Sequence, residues 1–267
     1  MEKNDKKFAV LIDADNISSK KIKIILDEIA NFGTPTIKRI YGDFTDPRLA
    51  SWKEVLLDNS IIPIQQYANT IGKNATDSAL IIDAMDILHK ESVDGFCIIS
   101  SDSDFTRLAS RIRESGKEVL GFGEKKTPKP FVRSCTQFKY VEILDAQLSD
   151  EPSSAAKVVA QKSKSSKSVR ASVGKTAGAA TVQAPDEAFI SLLQNTIDNI
   201  SDENGWAFLG VVGNIITKKM PDFDPRNYGF VKLTPLLKSM SDLIEIEERT
   251  ADMTGIKHIY IRNKPRK

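Results

Sequence analysis

The sequence predicts an α/β domain built on a mainly parallel sheet with helices on both faces, followed by a small domain of three helices closed by a hairpin. Two observations carry this. Short Val/Ile-rich runs alternate with segments of helical period through the first half of the chain. Between Glu151 and Ala184 the composition then shifts to Ser, Ala, Lys, Thr and Gly with no Phe, Leu, Ile, Tyr or Trp, before helical patterning resumes. The expected division is a first domain at 1–150, a flexible basic linker at 151–184 and a second domain at 185–267.

In the first domain the expected strands are FAVLID (8–13), IKRIYGD (37–43), IIPIQQY (61–67), GFCIISS (95–101) and EVLGFG (118–123). The helical segments between them are 20–30, 47–58, 76–90 and 104–115. Strands that read as continuous apolar runs are covered on both faces, which calls for parallel pairing with crossover helices. Helix 76–90 leaves almost no polar face and is expected to be largely buried. In the second domain the expected helices are 186–200, 211–220 and 230–240. A short extended piece at 205–210 lies between the first two, and strands 243–249 and 256–262 close the fold as a winged helix. Pro235 is compatible with the third of these helices if it starts near Thr234.

The linker cannot bury enough apolar surface to offset its ordering entropy. Its six Lys/Arg against one Glu make it a solvated tether, or an arm making non-specific contact with nucleic-acid phosphate. Elsewhere the charges nearly cancel, with 21 Lys/Arg against 23 Asp/Glu in 1–150 and 11 against 12 in 185–267. A uniformly basic nucleic-acid coat is excluded. Cys97 and Cys135 stand in or beside apolar stretches, so neither a disulfide framework nor a Cys/His zinc site is expected. With no 18-residue apolar run and a charged amino-terminal segment, the expected setting is cytoplasmic.

In open parallel sheets the working site lies beyond the carboxyl ends of the strands, where the strand order reverses. The first strand stops at Asp13 in DADN, and the fourth runs into SSDSDF, with Asp102 and Asp104 immediately before a helix. If these two strands are neighbours, their carboxylates converge in one crevice with no cation in either motif. Such a group is self-repelling unless a hard divalent cation, Mg²⁺ or Mn²⁺, sits among it. Asp102 and Asp104 also suit a helix cap. Asp77, in the first turn of helix 76–90, is either a fourth member or a partner of the helix dipole. Asp83 lies about 240° around that helix and ~9 Å along it, so it is expected outside the metal shell, as is Asp86. Asn16 is either an anchor of the loop after the first strand or a donor to phosphate. Lys73 is a substrate-phosphate contact or an ordinary surface lysine, and Asp43 is a weaker rim candidate beside a turn glycine.

Taken together, VLIDADNI, KNATDSALIID and IISSDSDFTRLASRIRESGKEVLGFG resemble the NYN domain, a branch of the PIN-like ribonuclease group, over about residues 6–145. The resemblance implies a metal-dependent phosphodiesterase acting on RNA, with Asp13, Asp77, Asp102 and Asp104 as its catalytic and metal-holding carboxylates and Asn16 as the motif asparagine. Ser101 stands where many members carry glycine, and its hydroxyl joins Asn16 and Lys73 as candidate substrate contacts. DPRNYGFVKLTPLLKSM with the hairpin after it resembles the LOTUS domain, also called OST-HTH, over about 186–264. That resemblance implies RNA or protein-partner binding, and Lys218, Lys219, Lys232 and Lys238 are either a local basic patch or solvated helix faces. Trp206 is expected in the core rather than as a base-stacking platform, and the second domain is expected to recruit substrate through its tether.

Two other functions fit parts of the pattern. Asp13-Ala14-Asp15 also matches the nucleophile and acid of a haloacid-dehalogenase-like phosphatase, although Asn16 and SDSDF depart from it. A non-catalytic RNA-binding adaptor with an idle acidic pocket is the other. With His89 and His258 in separate domains, a ribonuclease using two histidines as acid and base is not expected.

Overall fold

A computed structural model describes residues 5–67, 75–149, 184–250 and 257–265. The expected linker, apart from Ala184, lies outside the described residues, as does Lys73.

Six strands, β1 (Lys7–Asp13), β2 (Thr34–Gly42), β3 (Ile62–Gln65), β4 (Gly95–Ile99), β5 (Glu118–Gly123) and β6 (Gln137–Tyr140), form one parallel sheet in the order β3-β2-β1-β4-β5-β6. The order reverses between β1 and β4, whose register pairs Ile12 with Ile99. Both strands therefore deliver their carboxyl ends to the same crevice. Among the described residues, six helices connect and flank the strands: α1 (Ile22–Ala30), α2 (Lys53–Leu56), α3 (Ala75–Lys90), α4 (Thr106–Glu114), α5 (Lys129–Ser134) and α6 (Val141–Ser149). Alternation along β1 sends Phe8, Val10 and Ile12 into a core with Ile22, Ile25 and Ile29 of α1, and sends Ala9 and Leu11 into another with Leu80, Ala84 and Ile87 of α3.

The five strands expected from the sequence are all present, and α5, β6 and α6 are additions. The sixth strand, QFKY, has four residues, too few to show a period, and exists because the edge of β5 offers it a ladder from Leu120 to Gly123. Helix α3 departs from its expected burial. It buries Leu80, Ala84, Ile87 and Leu88, while Ile82 is 64% exposed. A helix lying on one side of a sheet covers it with one face only, however apolar its other face.

The second domain comprises α7 (Glu187–Ile200), β7 (Ala207–Phe208), α8 (Leu209–Lys219), α9 (Leu233–Ser239), β8 (Ile244–Thr250) and β9 (Lys257–Asn263). Its antiparallel sheet has the order β7-β9-β8, and its core gathers Phe189, Leu193, Val212, Ile216, Leu237 and Ile261. Helix α9 begins at Leu233, so Pro235 stands in its first turn, where a missing N–H costs no helical bond. Trp206 is a correction: it is only half-buried, with the guanidinium groups of Arg249 and Arg262 at 5.1 and 4.7 Å from its ring. An indole beside a two-residue strand has too little cover to enter the core, and the arginines stack on it instead.

The second domain is docked on the edge strand β6. The Phe138 N–H donates to the Pro221 carbonyl at 2.8 Å, which caps part of a sheet edge that would otherwise be open. Asp222 accepts from Tyr140 Oη at 2.9 Å and Lys129 Nζ at 3.0 Å. Asp224, 5% exposed, accepts from Lys139 Nζ at 2.6 Å and Arg226 at 2.7 Å, and Arg226 reaches across to Glu28 of α1 at 2.6 Å. No helix among the described residues is long and apolar enough to cross a membrane.

Candidate active site

β1 ends on Asp13, whose backbone is still in register with Tyr41 of β2. Its side chain is 1% exposed and fully engaged. One oxygen accepts the Asp15 N–H at 3.1 Å, and the other accepts Asn16 Nδ2 and Ser100 Oγ, each at 2.7 Å. Ser100 Oγ in turn accepts the Asp102 N–H at 3.0 Å, so one hydroxyl ties the end of β1 to the loop after β4. Burial pushes the Asp13 carboxyl up, against the pull of its three donors.

That loop carries Asp102, which caps the 3-10 turn Ser103–Phe105 by accepting the Asp104 N–H at 3.0 Å. The capping reading and the metal reading of Asp102 are compatible, because capping uses only one of its two oxygens. Gly123 at the end of β5 lets the loop lie close. A Cβ there would meet the Ser100 carbonyl at 2.6 Å.

Asp77 comes from the first turn of α3. Asp77, Asp102 and Asp104 each offer an oxygen within 4.8 Å of the others. Asp13 lies outside this set of three but within its field. The Asp77 carboxyl is pushed up to about 6, first by burial and then by the charges of Asp13, Asp102, Asp104 and Asp15. An oxygen-only set of mutually repelling carboxylates fits a hard divalent cation, which would remove the repulsion.

This has a consequence for stability. Asp77 titrates near 3.8 when unfolded and about 6 when folded, so its contribution to stability is full below pH 3.8 and is lost as pH rises through 6. Asp77→Asn should therefore stabilise the metal-free protein at neutral pH by about 1 kcal/mol, after allowance for solvent screening, and should be nearly neutral at acid pH. Thermal melts in EDTA at the two pH values test this, and a destabilised variant at neutral pH would contradict it.

The other expected residues fall into distinct places. Asn16 anchors the loop after β1 through Asp13. Ser101 is 6% exposed, and its hydroxyl accepts the Glu124 N–H at 2.9 Å, joining the ends of β4 and β5. Asp83 bonds to Arg39 and Tyr41 of β2, apart from the set of three carboxylates as its helical angle required. Asp86 pairs with Lys90 at 3.1 Å on the solvent side of α3. Asp43 is absorbed by its own turn, accepting from the Thr45 backbone and Gln65 Nε2. Sequence reasoning missed Ser100, whose place just before SDSD at a buried strand end was the available signal.

Comparison with known proteins bears on this geometry. Residues 7–144 match the NYN domain, and residues 181–254 match the OST-HTH/LOTUS domain. The chain belongs to the NYN domain family. NYN domains form a PIN-like nuclease family and LOTUS domains bind RNA, and here the two occur in that order. The NYN region covers the whole six-stranded sheet and every carboxylate of the crevice. An uncharacterized protein of Methanocaldococcus jannaschii is 26% identical over 125 residues, 45% of this chain. The chain spans about half the length of that relative, 49%. A crystal structure of a protein of unknown function from Vibrio parahaemolyticus aligns with a TM-score of 0.42 at 19% identity, covering 52% of this chain and 94% of that one. A solution structure of an uncharacterized protein from Nitrosomonas europaea aligns with a TM-score of 0.29 at 34% identity, covering 40% and 95%.

Proposed function

We propose that this NYN protein is a divalent-metal-dependent ribonuclease that hydrolyses RNA phosphodiester bonds at Asp77, Asp102 and Asp104, with Asp13 as the fourth charge behind them and the LOTUS domain binding RNA. The convergence of three carboxylates at the strand-order reversal of a nuclease-family fold is the observation that carries this reading.

When bound, Mg²⁺ or Mn²⁺ supplies an activated water and charge stabilisation on the phosphate. The chain's own residues hold and orient. Asp77, Asp102 and Asp104 provide the hard-cation ligands. Asp13 fixes Ser100 and the Asp102 backbone, so the Asp102 carboxylate is set by two strands rather than by its loop alone. Asn16 donates to the same Asp13 oxygen as Ser100 and helps to hold it in place. Histidine takes no part: His89 is exposed at the carboxyl end of α3, and His258 belongs to β9.

Asp13 argues against the phosphatase reading. A phosphoryl-accepting aspartate needs an accessible oxygen, and both of its oxygens are buried and hydrogen-bonded. Incubation of the purified protein with labelled RNAs should give cleavage with Mn²⁺ or Mg²⁺ and none in EDTA. Tight, EDTA-insensitive RNA binding with no cleavage under any of these conditions would favour the adaptor.

A further inference from the structure

We propose that the cleft between the two domains is a track for the phosphate backbone of single-stranded RNA, leading along the ends of β6 and β5 toward the carboxylates. This rests on the reading of RNA as substrate. The cleft has a volume of about 500 Å³ and is lined from the first domain by Lys125, Lys129 and Arg133, and from the second by Lys219. Lys129 is paired with Asp222. Lys125, Arg133 and Lys219 are exposed and have no ion-pair partner among the described residues. Of the two acids among the cleft's described residues, Asp222 serves Lys129 and Tyr140, and Asp186 caps α7 by accepting the Phe189 N–H at 2.8 Å. Cations from the loop after β5, from α5 and from α8 that have no ion-pair partner among the described residues thus face one concavity beside the single carboxylate of Asp186, an arrangement suited to a chain of phosphates.

The loop that carries Lys125 is fixed to its neighbours. The Lys125 N–H donates to Glu142 Oε1 at 2.9 Å. The preceding Glu124 N–H donates to Ser101 Oγ at 2.9 Å, next to Asp102. The Arg226–Asp224–Lys139 network holds the second domain, and with it Lys219, against β6. From β4 to β6 is two strand spacings, about 10 Å. A strand seated in the cleft therefore needs to cross only the end of β5, past Lys125, to reach Asp102. The net charge of the second domain is near zero, so RNA capture by that domain alone would be weak. Placing cations from both domains in one cleft supplies what neither surface has by itself.

The test is equilibrium binding of a short fluorescein-labelled oligo(U) to the full chain by anisotropy, in EDTA and over a range of salt. Lys125→Glu combined with Lys219→Glu, one change in each domain, should weaken binding by about tenfold or more. It should also reduce the salt slope by about 0.7 per lost phosphate contact. The corresponding pair of Lys→Arg changes should bind like the parent. Parent-like affinity and salt slope in the Glu pair, with an unchanged melting curve, would overturn the proposal. So would a loss confined to Lys232→Glu with Lys238→Glu, which would run the strand over α9 instead, or a parent that shows no salt-dependent binding. If binding responds as expected but Mn²⁺ never produces cleavage, the track stands and the hydrolytic reading falls.

Discussion

Asp102→Asn should reduce metal-dependent RNA cleavage by more than about 100-fold while changing RNA affinity by little. Loss of a residue that merely supports a metal ligand typically costs 10–100-fold, so loss of a ligand should exceed that. The substitution keeps the shape of the side chain and an oxygen to cap the Asp104 N–H, so the 3-10 turn Ser103–Phe105 should survive. What is removed is one negative charge from the set with Asp77 and Asp104. Single-turnover cleavage at saturating Mn²⁺, set beside binding of the same RNA in EDTA, separates the two effects. Cleavage at the parent rate would show that the nuclease site is elsewhere. A parallel loss of affinity and rate would show that Asp102 holds RNA rather than metal. Asp13→Asn should also be severe, for a different reason. An amide there must turn its NH2 toward either the Asp15 N–H or the two donors Asn16 Nδ2 and Ser100 Oγ, so one buried donor is left facing another at the junction of β1 with the Asp102 loop.

Asp224→Ala should loosen the two domains from each other at a cost of about 3 kcal/mol or more. It strips a counter-charge from Lys139 and one from Arg226, whose side chains are each 15% exposed, while Arg226 keeps its pairing with Glu28. Part of the loss is local, because Asp224 also caps the 3-10 turn Pro225–Tyr228 by accepting the Arg226 N–H at 3.0 Å. Lys139→Met keeps that cap and isolates the part that crosses between domains. Calorimetry should show the domains of the parent unfolding together and those of Asp224→Ala unfolding separately, with Lys139→Met in between. Identical single transitions in all three would show that the network adds nothing to docking.

The same contact predicts acid sensitivity. Burial alone would raise the Asp224 carboxyl, but the Arg226 and Lys139 charges outweigh it and hold it at about 2, below its ordinary 3.8. A depressed carboxylate contributes stability above its unfolded value and loses it as pH falls through the folded one. About 2 kcal/mol of stability should therefore disappear between pH 3.8 and 2, part of it from the Arg226 pairing within the second domain and part from the Lys139 pairing that crosses to β6. A docked state that persists unchanged through that window, followed by the hydrogen-exchange protection of the Phe138 amide, would count against the network.

This sequence by itself determined the β-α alternation, the ending of β1 on Asp13, the place of Asp102 in the loop after β4, the position of Asp77 at the start of α3 and the separation of Asp83 from that set of carboxylates. Each of these is a local property: a hydrophobic period, a residue type at the end of an apolar run, or an angle around one helix. Tertiary structure alone decided which oxygens of Asp13 are taken and that Ser101 serves the junction of β4 with β5. It also decided that four residues of unremarkable pattern become β6, that Trp206 lies under two arginines, and that the second domain is docked. These depend on pairs far apart in the chain, Ser100 with Asp13, Lys139 with Asp224 and Arg226 with Glu28, where hydrogen bonds and ion pairs act through distance in space. A sequence pattern records what each residue prefers, and the partner that satisfies it is set only when the strands are in order.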